Sequence, residues 1–334
     1  MIDASPSSFA MFWAAVIVFA LLVYVILDGF DLGVGILFGT TRDEALRSRM
    51  MASIAPFWDG NETWLIVVGA TLFAAFPMVY AIFLPAFYLP VLLLLLGLVF
   101  RGVAFEFRGR GGPQWLWNGG FAIGSAIIAF VQGAALGAMI RGVAVENGQY
   151  AGGSFDWLRP FPVLTGLGLV CGYALLGAGW LILKSEGDLR EWAYRRAPWL
   201  VLATAAFAAI AAWGALGELT RVGVNYSDRP WAILFPVIAT LALAGVLLGV
   251  RARQDALPFI MTGVFFVASF MTLPCLFWPY MIPYKVTVAD AAAPDASLSF
   301  LFWGAGLFAL PAVSFYTLAV YWFFRGKTTE AKEY

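Results

Sequence analysis

Hydrophobic residues in this chain fall into runs of membrane-spanning length, each closed by a short polar or charged stretch. Nine such runs lie near residues 9–38, 54–76, 79–100, 117–140, 161–183, 198–219, 231–250, 257–280 and 299–324. Each is near or above the roughly 20 residues that a helix needs to cross a bilayer core. The thinnest division is between the second and third runs, where only Phe76-Pro-Met-Val-Tyr80 intervenes; Pro77 and Tyr80 favour a tight turn over one long helix. The pattern predicts an all-α polytopic membrane protein with nine transmembrane helices. Composition agrees: 62% hydrophobic residues, 12% charged residues and a mean hydropathy of +0.85 exclude a soluble domain. The stretch before the first run carries no positive charge, and that run is too long for a signal peptide, so it is expected to remain as the first span.

Lys and Arg are shared unequally between the two sets of connections. Fifteen fall in the groups Arg42 to Arg49, Arg101 to Arg110, Lys184 to Arg196, Arg251 with Arg253, and the tail with Arg325, Lys327 and Lys332. Five fall in the other set: Arg141, Arg159, Arg221, Arg229 and Lys285. This bias puts the N-terminus outside and the tail, 325–334, in the cytoplasm, which requires an odd number of spans. The formal net charge is zero, so there is no large basic surface for nucleic acid. Both cysteines, Cys171 and Cys275, sit inside apolar runs and read as buried inert thiols. Histidine is absent, which removes imidazole from any metal, haem or proton chemistry of this chain.

A weak internal repeat runs through the array. Tyr24-Val-Ile-Leu27 returns as Tyr173-Ala-Leu-Leu176, Ala55-Pro-Phe-Trp58 as Ala197-Pro-Trp199, and Pro85 with Pro90 as Pro230 with Pro236. We read 9–141 and 157–280 as two four-helix bundles in parallel repeat, with 299–324 as an additional ninth helix. That proline-led apolar helices simply look alike is the alternative. The second half has no counterparts to the acids of the first, so the chemistry belongs to the first half.

Those acids stand three apart, twice, at membrane depth. Asp28 and Asp31 lie in the first run, Asp59 and Glu62 in the second, and Arg101 closes the third. A carboxylate at a bilayer's centre costs roughly 2.5–3.5 kcal/mol or more, so intramembrane acids default to a functional reading. Residues three apart on a helix share a face. Gly29, Gly33 and Gly35 form a small strip beside the first pair, where another helix can approach closely. With the orientation above, four acids and one arginine converge on the cytoplasmic half of one bundle. Four ionised carboxylates there would repel strongly, so protons are expected to be shared among them, as a proton inlet requires. The bland alternative is that Asp59-Gly-Asn caps a helix starting at Gly60, and that Asp28 and Asp31 merely reach the headgroups. Trp58, Trp64, Trp115, Trp117, Trp278 and Trp303 read mainly as interface-belt residues. Gln132 and Ser125 read as interhelical bonds, Glu218 with Arg221 as an outer-rim pair, and Glu106 as solvated.

At these segments the chain resembles subunit II of the cytochrome bd-type quinol oxidases. The matching stretches are Asp28-Gly-Phe-Asp-Leu-Gly-Val-Gly35, Ala55-Pro-Phe-Trp-Asp-Gly-Asn-Glu-Thr-Trp64, Phe73-Ala-Ala-Phe-Pro-Met-Val-Tyr80, Phe100-Arg-Gly-Val-Ala-Phe-Glu-Phe-Arg108 and Val286-Thr-Val-Ala-Asp-Ala-Ala292. The form around Arg101 resembles the cyanide-insensitive branch. The resemblance implies a heterodimer in the bacterial inner membrane. Subunit I carries the b- and d-type haems and the quinol site, and this chain is the haem-free partner, binding no cofactor or metal. It allows a structural quinone or lipid in this subunit, and a small single-span accessory subunit. It implies a proton path through Asp59 foremost, then Asp31 and Arg101; Glu62 stands where some members have glutamine. The rival function is a stand-alone proton-coupled secondary transporter, suggested by paired bundles and buried acids. A haem-binding enzyme in its own right is a distant third, for want of histidine.

Overall fold

Each apolar run folds as helix, and proline and polar residues decide where one helix gives way to the next. The computed structural model describes residues 5–221 and 229–328. Within them lie α1 (Ser8–Phe38), α2 (Glu44–Ile54), α3 (Trp58–Ala75), α4 (Pro77–Ala86), α5 (Tyr88–Phe107), α6 (Gln114–Arg141) and α7 (Pro160–Lys184). They are followed by α8 (Gly187–Arg221), α9 (Leu234–Arg251), α10 (Ala256–Phe277), α11 (Val288–Ala291), α12 (Asp295–Leu301) and α13 (Ala309–Phe323). The strands form two small antiparallel hairpins: β1 (Val145–Glu146) with β2 (Gln149–Tyr150), and β3 (Tyr280–Ile282) with β4 (Val286–Thr287).

The protein is an all-α polytopic membrane protein. Eight helical segments among the described residues are long and apolar enough to span, the last being Asp295–Phe323, in which a π-turn joins α12 to α13. The remaining expected run, the second, contains α3, which is less apolar because Asp59, Asn61 and Glu62 crowd its first two turns. Two runs are interrupted where none was expected. The second breaks at Ala55–Phe57, between α2 and α3, and the third breaks at Phe87, between α4 and α5. Pro56, Pro85 and Pro90 lie beside these breaks; a proline lacks the amide that would continue the ladder. As a result α5 starts late and continues to Phe107, so Arg101 lies inside a helix and does not end one. The sixth run also differs. Its helix, α8, begins at Gly187, so Ala197-Pro-Trp199 lies within it instead of opening it.

Two long helices meet at the centre. α1 packs on α3, α6 and α7, and α7 packs on α1, α6, α8 and α10. The crossing depends on the predicted glycine strip. A Cβ on Gly33 would lie 1.8 Å from the Tyr173 carbonyl oxygen, and one on Gly177 would lie 2.4 Å from the Gly33 carbonyl carbon. Gly35 receives Ser125 just as closely, although the Ser125 hydroxyl bonds to Phe121 on its own helix and not across helices.

The tryptophans divide. Trp115 and Trp303 are exposed, but Trp64 is buried and donates to Thr317 Oγ1, so it is not a belt residue. Exposed Glu106 pairs only with Arg110. Glu218 lies 3.6 Å from Arg141. The Arg221 side chain and Lys332 lie outside the described residues.

Candidate functional site

The acid cluster is assembled by α1, α3 and α5. The last third of α1 buries a continuous set, Asp28 to Gly35, because α6 and α7 cover one side and α3 another. Asp28 and Asp31 therefore cannot turn to lipid or headgroup; both are fully buried. Arg101 projects between them from α5, equally buried. Its Nη1 donates to Asp28 Oδ1 at 2.8 Å and stands 3.4 Å from Glu62 Oε1, and its Nη2 lies 3.9 Å from Asp31 Oδ2. Glu62 is the partly open member, its side chain 20% exposed. One guanidinium thus faces three carboxylates. Removing one partner from such a buried set costs about 3–5 kcal/mol, because the others are left uncompensated.

Asp59 does not join this cluster. It lies one turn before Glu62 on α3, is exposed, and makes no ion pair among the described residues. Nor does it cap the helix. α3 starts at Trp58 with Phe57 before it and no side-chain cap, so Asp59 lies inside the first turn, where the helix dipole favours an anion. The structure therefore brings Asp28, Asp31, Glu62 and Arg101 together and leaves Asp59 on the outer surface at the same level.

Two polar arms reach the cluster from residues that sequence reasoning passed over or read only in part. In the first, the Tyr321 hydroxyl of α13 donates to Asn61 Oδ1 at 3.0 Å, and Asn61 Nδ2 donates to Asp31 Oδ2 at 2.7 Å and to the Leu27 carbonyl at 3.2 Å. In the second, the Tyr173 hydroxyl of α7 donates to Gln132 Oε1 at 2.9 Å, and Gln132 Nε2 donates to the Tyr24 hydroxyl at 2.7 Å. Tyr24 faces Asp28, one turn along the same helix. Gln132 is thus an interhelical bond, as its setting in the fourth span suggested, and it joins the two tyrosines of the repeat. The arrangement offers exchangeable protons held in a buried interior, with a partly open end at Glu62. Some acceptors and donors, Asp28 Oδ2, Asp31 Oδ1, Arg101 Nε and Arg101 Nη2, have no hydrogen-bond partner among the described residues. Among the described residues no group of His, Cys, Asp and Glu has the spacing of a metal site.

Comparison with known proteins bears on what this cluster belongs to. Residues 9–324 match the family model described as cytochrome bd terminal oxidase subunit II. The chain is 30% identical to the cytochrome bd-I ubiquinol oxidase subunit 2 of Escherichia coli (strain K12), covering 95% of this chain and 94% of the relative. It is 32% identical to the cytochrome bd ubiquinol oxidase subunit 2 of Bacillus subtilis (strain 168), covering 86% and 87%. Its fold is similar to a chain in the structure of bd oxidase from Geobacillus thermodenitrificans, with a TM-score of 0.73 at 17% identity, over 95% of this chain and 99% of that one. The chain belongs to the cytochrome bd terminal oxidase subunit II family.

Proposed function

We propose that this subunit of a bd-type quinol:oxygen oxidoreductase holds no haem itself, scaffolds the haem-bearing subunit I in the bacterial inner membrane, and supplies a cytoplasmic proton-uptake path for reduction of oxygen to water. The observation that carries this reading is the step from Asp59 to the buried cluster. An exposed acid in the first turn of α3 sits one helical turn from the partly open Glu62, which in turn lies against Arg101 and, beyond it, Asp28 and Asp31. A carboxylate left against lipid is costly, so the face bearing Asp59 is the one we assign to subunit I. Exposed apolar residues farther along the same helix, Ile66 and Phe73, and Phe100 with Val103 on α5 suit a protein partner as well. In this scheme Asp59 hands protons across the subunit boundary, while Glu62, Asp31 and Asp28 hold them in reserve and Arg101 keeps the acids together.

The residues do not fit a haem. There is no histidine, and Cys171 and Cys275, on α7 and α10, read as partly buried thiols of apolar helices and not as a haem thiolate. No step is therefore routed through a haem of this chain. The two-bundle division, 9–141 and 157–280 with 299–324 added, the outside N-terminus, a structural quinone or lipid and a small accessory subunit belong to the same proposal.

Asp59→Asn keeps the side chain's shape and removes its titration. In the assembled complex it is expected to lower quinol oxidase turnover about tenfold or more at unchanged haem content. Full oxygen consumption in that variant ends the proton-path reading. A purified native complex without haem bands from a second chain ends the oxidase reading and favours the transporter.

A further inference from the structure

The last helix belongs to the acid site. Tyr321 lies 260 residues from Asn61, and its hydroxyl is the only part of α13 hydrogen-bonded to the amide that holds Asp31. The Asn61 amide cannot turn over. Its Nδ2 faces the Leu27 carbonyl, which only accepts, so its Oδ1 is fixed toward Tyr321. The Tyr321 ring is itself locked, tilted against Phe57 at 4.7 Å and edge-on to Phe30 at 6.4 Å. Hydroxyl, amide and carboxylate thus form one line of donation that ends on Asp31.

We propose that Asn61 and Tyr321 are positioning residues of the proton path: they hold the Asp31 carboxylate at its distance from Arg101, so that the last helix tunes proton exchange at a site built by α1, α3 and α5. This rests on the proton-inlet reading and goes further, since neither residue carries charge at neutral pH and neither was assigned a role. The alternative is that Tyr321 only fastens α13. That task has its own device. Lys184, at the end of α7, donates to the carbonyl oxygens of Phe324 and Gly326 and lies over the Phe57 and Trp180 rings, while Lys327 pairs with Asp255. The two devices share the Phe57 and Trp180 rings but no hydrogen bond, so the Lys184 ammonium and the Tyr321 hydroxyl can each be removed alone.

The groups facing Asp31 are Asp28 on α1, Asn61 and Glu62 on α3, Arg101 on α5 and Tyr321 on α13, while Tyr24 and Tyr173 face Asp28; Tyr321→Phe changes only the Tyr321 hydroxyl. In the full complex this variant is expected to keep its haem content and quinol KM, to lose turnover about fivefold, and to move the pH profile of turnover by about half a unit or more. Asn61→Leu should do the same more strongly. Lys184→Met should loosen the tail, seen as faster proteolysis after Phe324, without moving the pH profile. A Tyr321→Phe complex with unchanged turnover and pH profile overturns the proposal. So does a loss that Lys184→Met reproduces in size with the profile unmoved, because fastening then accounts for it. If Asp59→Asn and Asp31→Asn collapse turnover while Tyr321→Phe is silent, only the positioning role fails. If the aspartate variants are also silent, the inlet reading fails with it.

Discussion

Midway along, α1 and α7 carry similar stretches, Tyr24-Val-Ile-Leu27 and Tyr173-Ala-Leu-Leu176, and diverge within the next two turns. Both tyrosines, Tyr24 and Tyr173, bind one amide, Gln132. Four residues further on, α1 has Asp28 where α7 has Gly177, and after seven α1 has Asp31 where α7 has Trp180. On α1 these positions face Arg101. On α7 the glycine lets the backbones touch, and the indole stacks on Phe30 at 4.0 Å. The same place in a membrane bundle can thus be filled by a charge set or by an aromatic stack. The aromatic filling needs one polar partner, the Ser53 carbonyl that accepts from the Trp180 indole; the charged one needs Arg101, Asn61 and Gln132 around it. A protein that retains the costlier filling on one helix only is using it for something other than stability.

The largest expected effect comes from the contact the two helices share. Gly33→Val would place side-chain atoms inside the Tyr173 carbonyl, so folded protein recovered from membranes should fall about tenfold or more. Gly69→Ala, with nothing within 4 Å, should be silent. Equal yields would mean that the helices can separate, and the comparison would lose its common frame.

Next come the two fillings themselves. Arg101→Ala should cost about 3–5 kcal/mol and show as less haem-loaded complex at matched expression, Arg101→Lys less. Some of that loss is relieved if the acids take up protons. Trp180→Ala should cost a similar 3–5 kcal/mol, by leaving a cavity. The two part company in double variants. Arg101→Gln with Asp28→Asn should regain yield but not turnover, whereas Trp180→Ala combined with a change at Phe259, which packs on the indole away from the acids, should leave turnover per haem unmoved. Normal yield with collapsed turnover per haem in Arg101→Ala would move the arginine from assembly into the path itself.

The smallest effect lies outside the spanning segments and tests burial alone. Arg159 and Asp156 are 2.8 Å apart, as are Arg101 and Asp28, but their side chains are 55% and 35% exposed. The Arg159 hydrogen bond holds the Asp156 carboxyl below its ordinary value. The stability it adds is therefore present above the unfolded value near 3.9 and fades as pH falls through the lower folded value. Asp156→Asn should cost no more than about 1 kcal/mol at neutral pH. Thermal melts of variant and parent should converge in strong acid; a gap persisting there would point to a contact other than the ion pair.

The sequence was legible wherever one residue type carries its own cost. Buried acids, an arginine within an apolar run and a glycine strip all announce themselves, and Asp28, Asp31, Glu62 and Arg101 do meet. Asp59 was grouped with them because spacing along α3 gives a common side of the helix but does not say which neighbour stands on it. The breaks at Ala55–Phe57 and Phe87 escaped because apolar residues continue through them, and a hydropathy pattern does not register a missing amide. Asn61 and Tyr321 were silent for another reason. Each is an ordinary polar residue at its place, and only a contact across 260 residues gives the pair meaning.

That distance has a consequence for biogenesis. The ribosome makes Tyr321 long after Asp31, so the acids enter the bilayer well before the helix that completes their surroundings. Until the final turns of α13 leave the insertion machinery and Lys184 takes hold of the carbonyls of Phe324 and Gly326, the charge set has one wall open. A chain truncated before Tyr321 would carry every acid and still present an unfinished site, a defect that membrane proteases can recognise.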